Sequence, residues 1–207
     1  KPTTDNYYDS VEAFNKDNPV LENPTLVANA VAKVGNTFYN DLQTAVSTAA
    51  STAKTTIELV NDITLDASVM FIRDQNITIN GNGHTISYDG VSTKTAFKIT
   101  GTASEMEGTP TGVTLNVNDV TFKNTNANSP RSGYAVLIGG NSNNTSVNLD
   151  QCSFNNLYCA VLGNAFTDTT KADEAPDFSI TNSTFTDTQF GYSVDAVTPG
   201  AIVGAGN

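Results

Sequence analysis

The sequence predicts an all-β chain, a parallel β-helix (β-solenoid) of about five coils with an N-terminal hairpin and a capping α-helix, and two observations carry that prediction. The first is a repeat. Residues 115–122 (LNVNDVTF), 147–154 (VNLDQCSF) and 178–185 (FSITNSTF) fit one template and recur at intervals of 32 and then 31 residues. The second is the alternation inside each unit: Leu115 and Val117 point one way, Asn116 and Asn118 the other, with no apolar stripe at helical spacing. Such a unit has one apolar side and buries it only by stacking on its neighbours.

The elements follow in chain order. Residues 1–28 contain Pro2, Pro19 and Pro24, are acidic and aperiodic, and read as an extended leader. Within it Tyr7, Tyr8, Val11 and Phe14 form a β-compatible pattern suited to pairing with another chain. Residues 29–54 hold a hairpin, 31–34 (VAKV) and 37–39 (TFY) around the Gly35-Asn36 turn. A helix follows, with Asn40-Asp41 as its cap and Leu42, Ala45, Val46, Ala49 and Ala50 on one face. That face would cover the apolar end of the first coil. Residues 55–207 form the β-helix. Its early strands are 56–60, 63–65, 76–86 and 96–100, and each later template unit is followed by a second run, at 134–138, 158–162 and 192–197. Each coil therefore carries at least two strands, with bends rich in Asn, Asp, Thr, Ser and Gly. The connection from Phe122 to Tyr134 is long and that from Phe154 to Tyr158 tight, which marks the corner where a solenoid places binding loops.

Residues 31–46 (VAKVGNTFYNDLQTAV), 56–65 (TIELVNDITL) and 77–86 (ITINGNGHTI) resemble the start of right-handed parallel β-helix proteins of the pectate-lyase-like superfamily, especially versions found in prokaryotic surface and adhesin-like proteins. The resemblance covers residues 31 to 197. It implies the fold and leaves the function open, because that superfamily includes lyases, glycosidases, adhesins and phage spikes.

Composition points outside the cell. With 21 acidic and 10 basic residues the net charge is −11, which repels nucleic acid and anionic membrane. No apolar run is long enough to span a bilayer. A chain beginning at Lys1 rather than Met is expected to be processed, its export signal already removed.

Catalytic chemistry finds few carriers. A lyase of this superfamily needs Arg or Lys as a base beside acids that hold Ca²⁺, and the arginines are Arg73 and Arg131, neither in an acid-rich strand. A glycosidase needs two or three carboxylates facing one groove. Asp119 and Asp150 stand at adjacent template positions facing different ways, and Asp187 and Asp195 come late in the stack. The sole histidine, His84, sits in the Asn-Gly-Asn-Gly-His turn, where a structural role is the default. No cofactor is expected: Ca²⁺ would need a ligand loop, and neither an Asp-x-Asn-x-Asp segment nor a Gly-Gly-x-Gly-x-Asp array occurs. No metal site is expected either. Cys152 and Cys159 are either two buried thiols or a disulfide bracing the tight corner. Asn118, Asp150 and Thr181 align, as do Asn124, Asn156 and Asp187, and columns of this kind bond from coil to coil.

The readings that remain are ordered. First comes a non-enzymatic extracellular surface protein, either a self-assembling structural subunit or an adhesin module. Its partners would be other copies of itself or the rest of a longer surface protein, and its small, apolar C-terminal run with Ile202 and Val203 would pair with another chain. Second comes a carbohydrate-binding module, with Arg131 in the long corner loop and Tyr134, Tyr158 and Tyr192 recurring at one corner to stack on a polysaccharide. Third comes a polysaccharide lyase or glycoside hydrolase.

Overall fold

The computed structural model describes residues 29–49, 53–72, 74–90, 94–99, 112–139, 142, 144–163, 175–194 and 202–205. The chain opens with the hairpin β1 (Ala32–Val34) and β2 (Thr37–Tyr39), turned by Gly35 at φ +56°, and the helix α1 (Leu42–Ser47). Asp41 caps α1: its Oδ2 accepts from the Thr44 amide at 2.7 Å. Three strands then make each turn of the solenoid. They are β3 (Lys54–Leu59), β4 (Ile63–Leu65) and β5 (Val69–Phe71); β6 (Asn76–Asn80), β7 (Thr85–Tyr88) and β8 (Thr95–Ile99); β9 (Thr114–Asn118), β10 (Thr121–Asn124) and β11 (Tyr134–Ile138). Next come β12 (Ser146–Asp150), β13 (Ser153–Asn155) and β14 (Cys159–Gly163); β15 (Asp177–Thr181), β16 (Thr184–Thr186) and β17 (Phe190–Val194); and finally β18 (Ile202–Ala205).

Among the described residues these strands build three parallel sheets. Sheet A runs β18-β15-β12-β9-β6-β3 and ends on the antiparallel hairpin, sheet B runs β16-β13-β10-β7-β4, and sheet C runs β17-β14-β11-β8-β5. The fold is a parallel β-helix, as the repeat predicts. Each coil has three strands, within the sequence expectation of at least two, because the eight-residue template is bent in its middle and supplies two of them. Asp119, Gln151 and Asn182 hold φ between +50° and +54° at that bend, so the residues before and after it belong to different sheets. Strand β5 was not among the strands read from the sequence: Val69, Met70 and Phe71 are all apolar and show no alternation.

Register places like on like. Leu115, Val147 and Phe178 stack in sheet A, and Phe122, Phe154 and Phe185 in sheet B. The rings of Phe71, Phe97, Phe122, Phe154 and Phe185 form a continuous spine with centroids 5.1 to 5.8 Å apart. The spine joins sheets B and C through the core. At the bend itself Val120, Cys152 and Ser183 share a buried column, and Gly81 is required because a Cβ there would meet the Asp119 carbonyl oxygen at 2.1 Å.

The N-terminal end is closed by α1, whose Leu42, Ala45 and Val46 join the core. The helix stops at Ser47, short of the expected Ala50, which lies outside the described residues. Gln43 completes the closure. Its Oε1 accepts from the Met70 amide at 2.6 Å and its Nε2 donates to the Met70 carbonyl at 3.1 Å. Strand β5 is the edge of sheet C, so this side-chain amide takes the place of a further strand.

Candidate functional site

Alternation sends every second strand residue outward, and on sheet A these residues bond along the stack. Glu58 Oε1 accepts from Asn80 Nδ2 at 2.7 Å, and Asn80 Oδ1 accepts from Asn118 Nδ2 at 3.1 Å. Further along, Asp150 Oδ1 accepts from Thr181 Oγ1 at 2.6 Å and from Asn182 Nδ2 at 2.8 Å. A second column links Asn116, Asn148 and Ser179 in the same way. The hydrogen bonds from Thr181 and Asn182 hold the Asp150 carboxyl below the usual carboxylate range. This face is occupied by its own ladder.

The second polar cluster lies at the A-to-B bend of the first coils. Asp62 Oδ1 accepts from the Thr85 amide at 2.9 Å and lies 3.2 Å from His84 Nδ1, and these two partners, the amide first, hold its carboxyl low. A cleft of about 560 Å³ beside it is lined by Asp41, Gln43, Asp62, Asp66 and Ser68 among others. Asp41 is engaged as the helix cap, Gln43 as the edge plug and Asp62 as the bend acceptor. His84 thus joins two successive bends.

The third surface is the B-to-C corner. Its long loop, residues 125–133, is built around the buried side chain of Asn124. Asn124 Oδ1 accepts from the Gly90 and Asn126 amides at 2.9 and 2.8 Å, and Nδ2 donates to the Ser129 and Ser132 carbonyls at 3.0 and 3.1 Å. Asn124 therefore does not share in a side-chain ladder with Asn156 and Asp187; the inserted loop claims it. Arg131 takes its place at the corner. Arg131, Asn156 and Asp187 hold φ of +57°, +62° and +51°, the left-handed turn that successive corners share. The Arg131 amide donates to Asn156 Oδ1 at 2.8 Å, and its guanidinium Nη2 lies 3.9 Å from Asp187 Oδ1.

Immediately after these turns comes an aromatic row. The rings of Tyr134 and Tyr158 are 6.0 Å apart and edge-on, and those of Tyr158 and Phe190 are 5.3 Å apart and edge-on. Tyr192 is not in this row. It stands two residues further along β17, in backbone register with the buried Val136 and Val161, and packs on Phe178 at 5.6 Å while remaining 52 % exposed at the end of that column. Phe190 takes the expected position instead. The sequence signal for it was the offset from the corner residue: two residues from Asn156 to Tyr158, three from Asp187 to Phe190 and three from Arg131 to Tyr134.

A family model described as "Putative pectate lyase-like adhesive domain" matches residues 37–192. The chain belongs to this family. No curated protein and no solved structure matches it. Membership makes this adhesive domain an adhesin-like surface module. Among its described residues no helix is long and apolar enough to cross a membrane.

Some of the remaining sequence expectations fall within the described part of the adhesive domain and others outside it. Tyr7, Tyr8, Val11 and Phe14 lie outside the described residues. Ile202 and Val203, expected to face another chain, lie in β18, whose backbone pairs with β15 of the same chain in register with Phe178 and Ser179. Arg73 is also outside the described residues. Cys152 and Cys159 are free and buried: one sits at the A-to-B bend, with its Sγ 3.4 Å from the Asp150 carbonyl, the other in sheet C, with its Sγ 3.3 Å from the Val161 carbonyl. No disulfide joins them. Burial pushes both thiols up to about 12.

Proposed function

We propose that this domain is a non-enzymatic, extracellular adhesive module. The observation that carries the reading is what three of its acids do. Glu58 and Asp150 accept hydrogen bonds from neighbouring coils, Asp62 accepts from the next bend, and the shifts at Asp62 and Asp150 are downward. A general acid at neutral pH needs the opposite shift, produced by an apolar pocket or a like charge. The family description supports adhesion. The net charge of −11 suits a surface-exposed protein that must remain soluble.

The test has two arms. Beads coated with the chain are scored for retention on bacterial and host-matrix surfaces under flow, and the chain is incubated with pectic and neutral polysaccharides while unsaturated products and new reducing ends are measured. Retention without product release is the expected result. Release that scales with protein concentration would establish an enzyme and overturn the reading.

A further inference from the structure

We propose that the B-to-C corner of coils three to five is a binding site for a neutral glycan, with Tyr158 and Phe190 as its floor and Arg131 and Asp187 as its polar wall. This rests on the adhesive reading above and names the ligand class through which adhesion would act. The four residues come from three successive corners and are held in register by backbone bonds: the Tyr158 amide donates to the Gly133 carbonyl at 3.0 Å and the Phe190 amide to the Tyr158 carbonyl at 2.9 Å.

Three observations point to a sugar. The aromatic row advances one ring per coil, at 6.0 and 5.3 Å, a spacing close to one pyranose unit, and the Phe190 side of the row is open, with that residue 44 % exposed. Aromatic faces attract the C–H faces of pyranoses, and because neighbouring rings of the row stand at 85° and 71° to each other, one ring of each pair lies flat against a sugar while the other meets it edge-on. Arg131 and Asp187 are 61 % and 71 % exposed, and at 3.9 Å they are too far apart to hydrogen-bond directly. The guanidinium thus keeps donors and the carboxylate keeps acceptors facing the same space, the combination that grips a vicinal diol. Third, charge selects the class. Asp187 balances the one cation of the wall, and the chain's net charge of −11 opposes a polyuronate, so the fitting ligand is neutral.

The wall is preorganised. Asn124 locks the loop that carries Arg131, and Gly133 closes it at φ +77°, with its Cα near the backbone of Gly90 and Lys94, where a Cβ would lie 3.0 Å from the Lys94 carbonyl oxygen. A rigid wall loses little freedom on binding.

The experiment is saturation-transfer NMR and titration calorimetry of the full chain against neutral oligosaccharides of glucose, mannose and galactose, with oligogalacturonate as the anionic comparison. The variants are Arg131→Ala, Asp187→Ala and Tyr158→Ala, with Lys123→Ala on the outer face of sheet B as the control. The expected result is saturable binding of at least one neutral series, weakened about tenfold or more by each corner variant and unchanged by the control. If Tyr158→Ala does not fold, the two exposed wall variants decide the matter. Failure of every neutral series to bind, binding that survives both wall variants, or a preference for oligogalacturonate would overturn the inference. Bead retention that persists while no glycan binds refutes this site and leaves the adhesive reading standing; loss of both refutes both.

Discussion

Replacing Asn124 is the sharpest test of how the corner is built. In Asn124→Ala four hydrogen bonds disappear, but their cost is unequal. The Gly90 amide keeps the Tyr88 carbonyl at 3.1 Å and the Ser129 carbonyl keeps the Ser132 hydroxyl at 2.7 Å, whereas the Asn126 amide and the Ser132 carbonyl lose the partner shown for them. At about 1–3 kcal/mol for each group left unsatisfied, and with partial relief from water at the loop surface, the variant should lose about 2–4 kcal/mol. Asn124→Asp separates the donor from the acceptor. It preserves the two accepted bonds and turns a carboxylate toward the Ser129 and Ser132 carbonyls, so its folded carboxyl is raised above its unfolded value. Such a group costs stability as pH rises from the unfolded carboxylate range to the folded value, after which the penalty is constant. The Asp variant should therefore recover stability on acidification relative to the Ala variant. Urea denaturation between neutral and mildly acidic pH, with amide exchange at residues 125–133, measures both. A cost below about 1 kcal/mol for Asn124→Ala with unchanged loop exchange would mean that the loop is held by something other than Asn124, and the rigid-wall argument would fall with it.

The other predictions concern the stack. Phe122→Ala removes a fully buried ring with partners on both sides and should cost about 3–5 kcal/mol, while Phe185→Ala, half-buried with a stacking partner on one side, should cost about 1–2 kcal/mol; equal losses in denaturant titrations would contradict the spine. Asp150 and Asp62 have depressed folded values, so the stability they give is present above the unfolded carboxylate range, about 3.9, and is lost as pH falls through the lower folded values. Asp150→Asn should flatten part of that acid limb in thermal melts, and an unchanged limb would remove Asp150 as a contributor. Cys152 and Cys159, buried and pushed up to about 12, should resist iodoacetamide in the folded chain and react only after unfolding. Mass spectrometry reads this directly. Thr78 carries a buried hydroxyl with no hydrogen-bond partner, so Thr78→Val should leave thermal stability unchanged or raise it by about 1 kcal/mol; a clear loss would show that the hydroxyl is satisfied in solution.

Much of the fold was legible because its stabilising unit is also its sequence unit. The positions that align in residues 115–122, 147–154 and 178–185 are hydrogen-bonded neighbours in sheets A and B, so the column of Val120, Cys152 and Ser183 could be read before any coordinates. The hairpin and the Asp41 cap were equally local signals. The bend at Asp119 was not legible, because Asp, Gln and Asn serve in all three equivalent positions and none of them demands a left-handed backbone as glycine would. The aromatic row was read with one wrong member for a related reason. Tyr192 continued a chemical pattern, but register is set by backbone pairing, and pairing puts Phe190 opposite Cys159.

The proposed site lies where the repeat is broken, and hydrogen bonding gives the physical reason to look there. A regular coil spends its outward amides and acids on the coils above and below, as Asn80, Asn118 and Asp150 do, and what is satisfied internally has little left for a ligand. An insertion disrupts that economy locally. The seven residues by which this corner exceeds that of the next coil, an offset of 32 at Phe122–Phe154 falling to 25 at Tyr134–Cys159, withdraw Asn124 from its column, fill the vacancy with Arg131, and bring a cation against Asp187 at the edge of an aromatic row. The extra length also supplies its own scaffold, since Asn124 and Asn126 satisfy the loop's amides and carbonyls from within. A rigid, partly unsatisfied polar wall beside an aromatic row whose last ring, Phe190, is exposed therefore follows from one insertion in one repeat, and if the proposed glycan site is correct, changing that insertion would change the ligand while the stack stays the same.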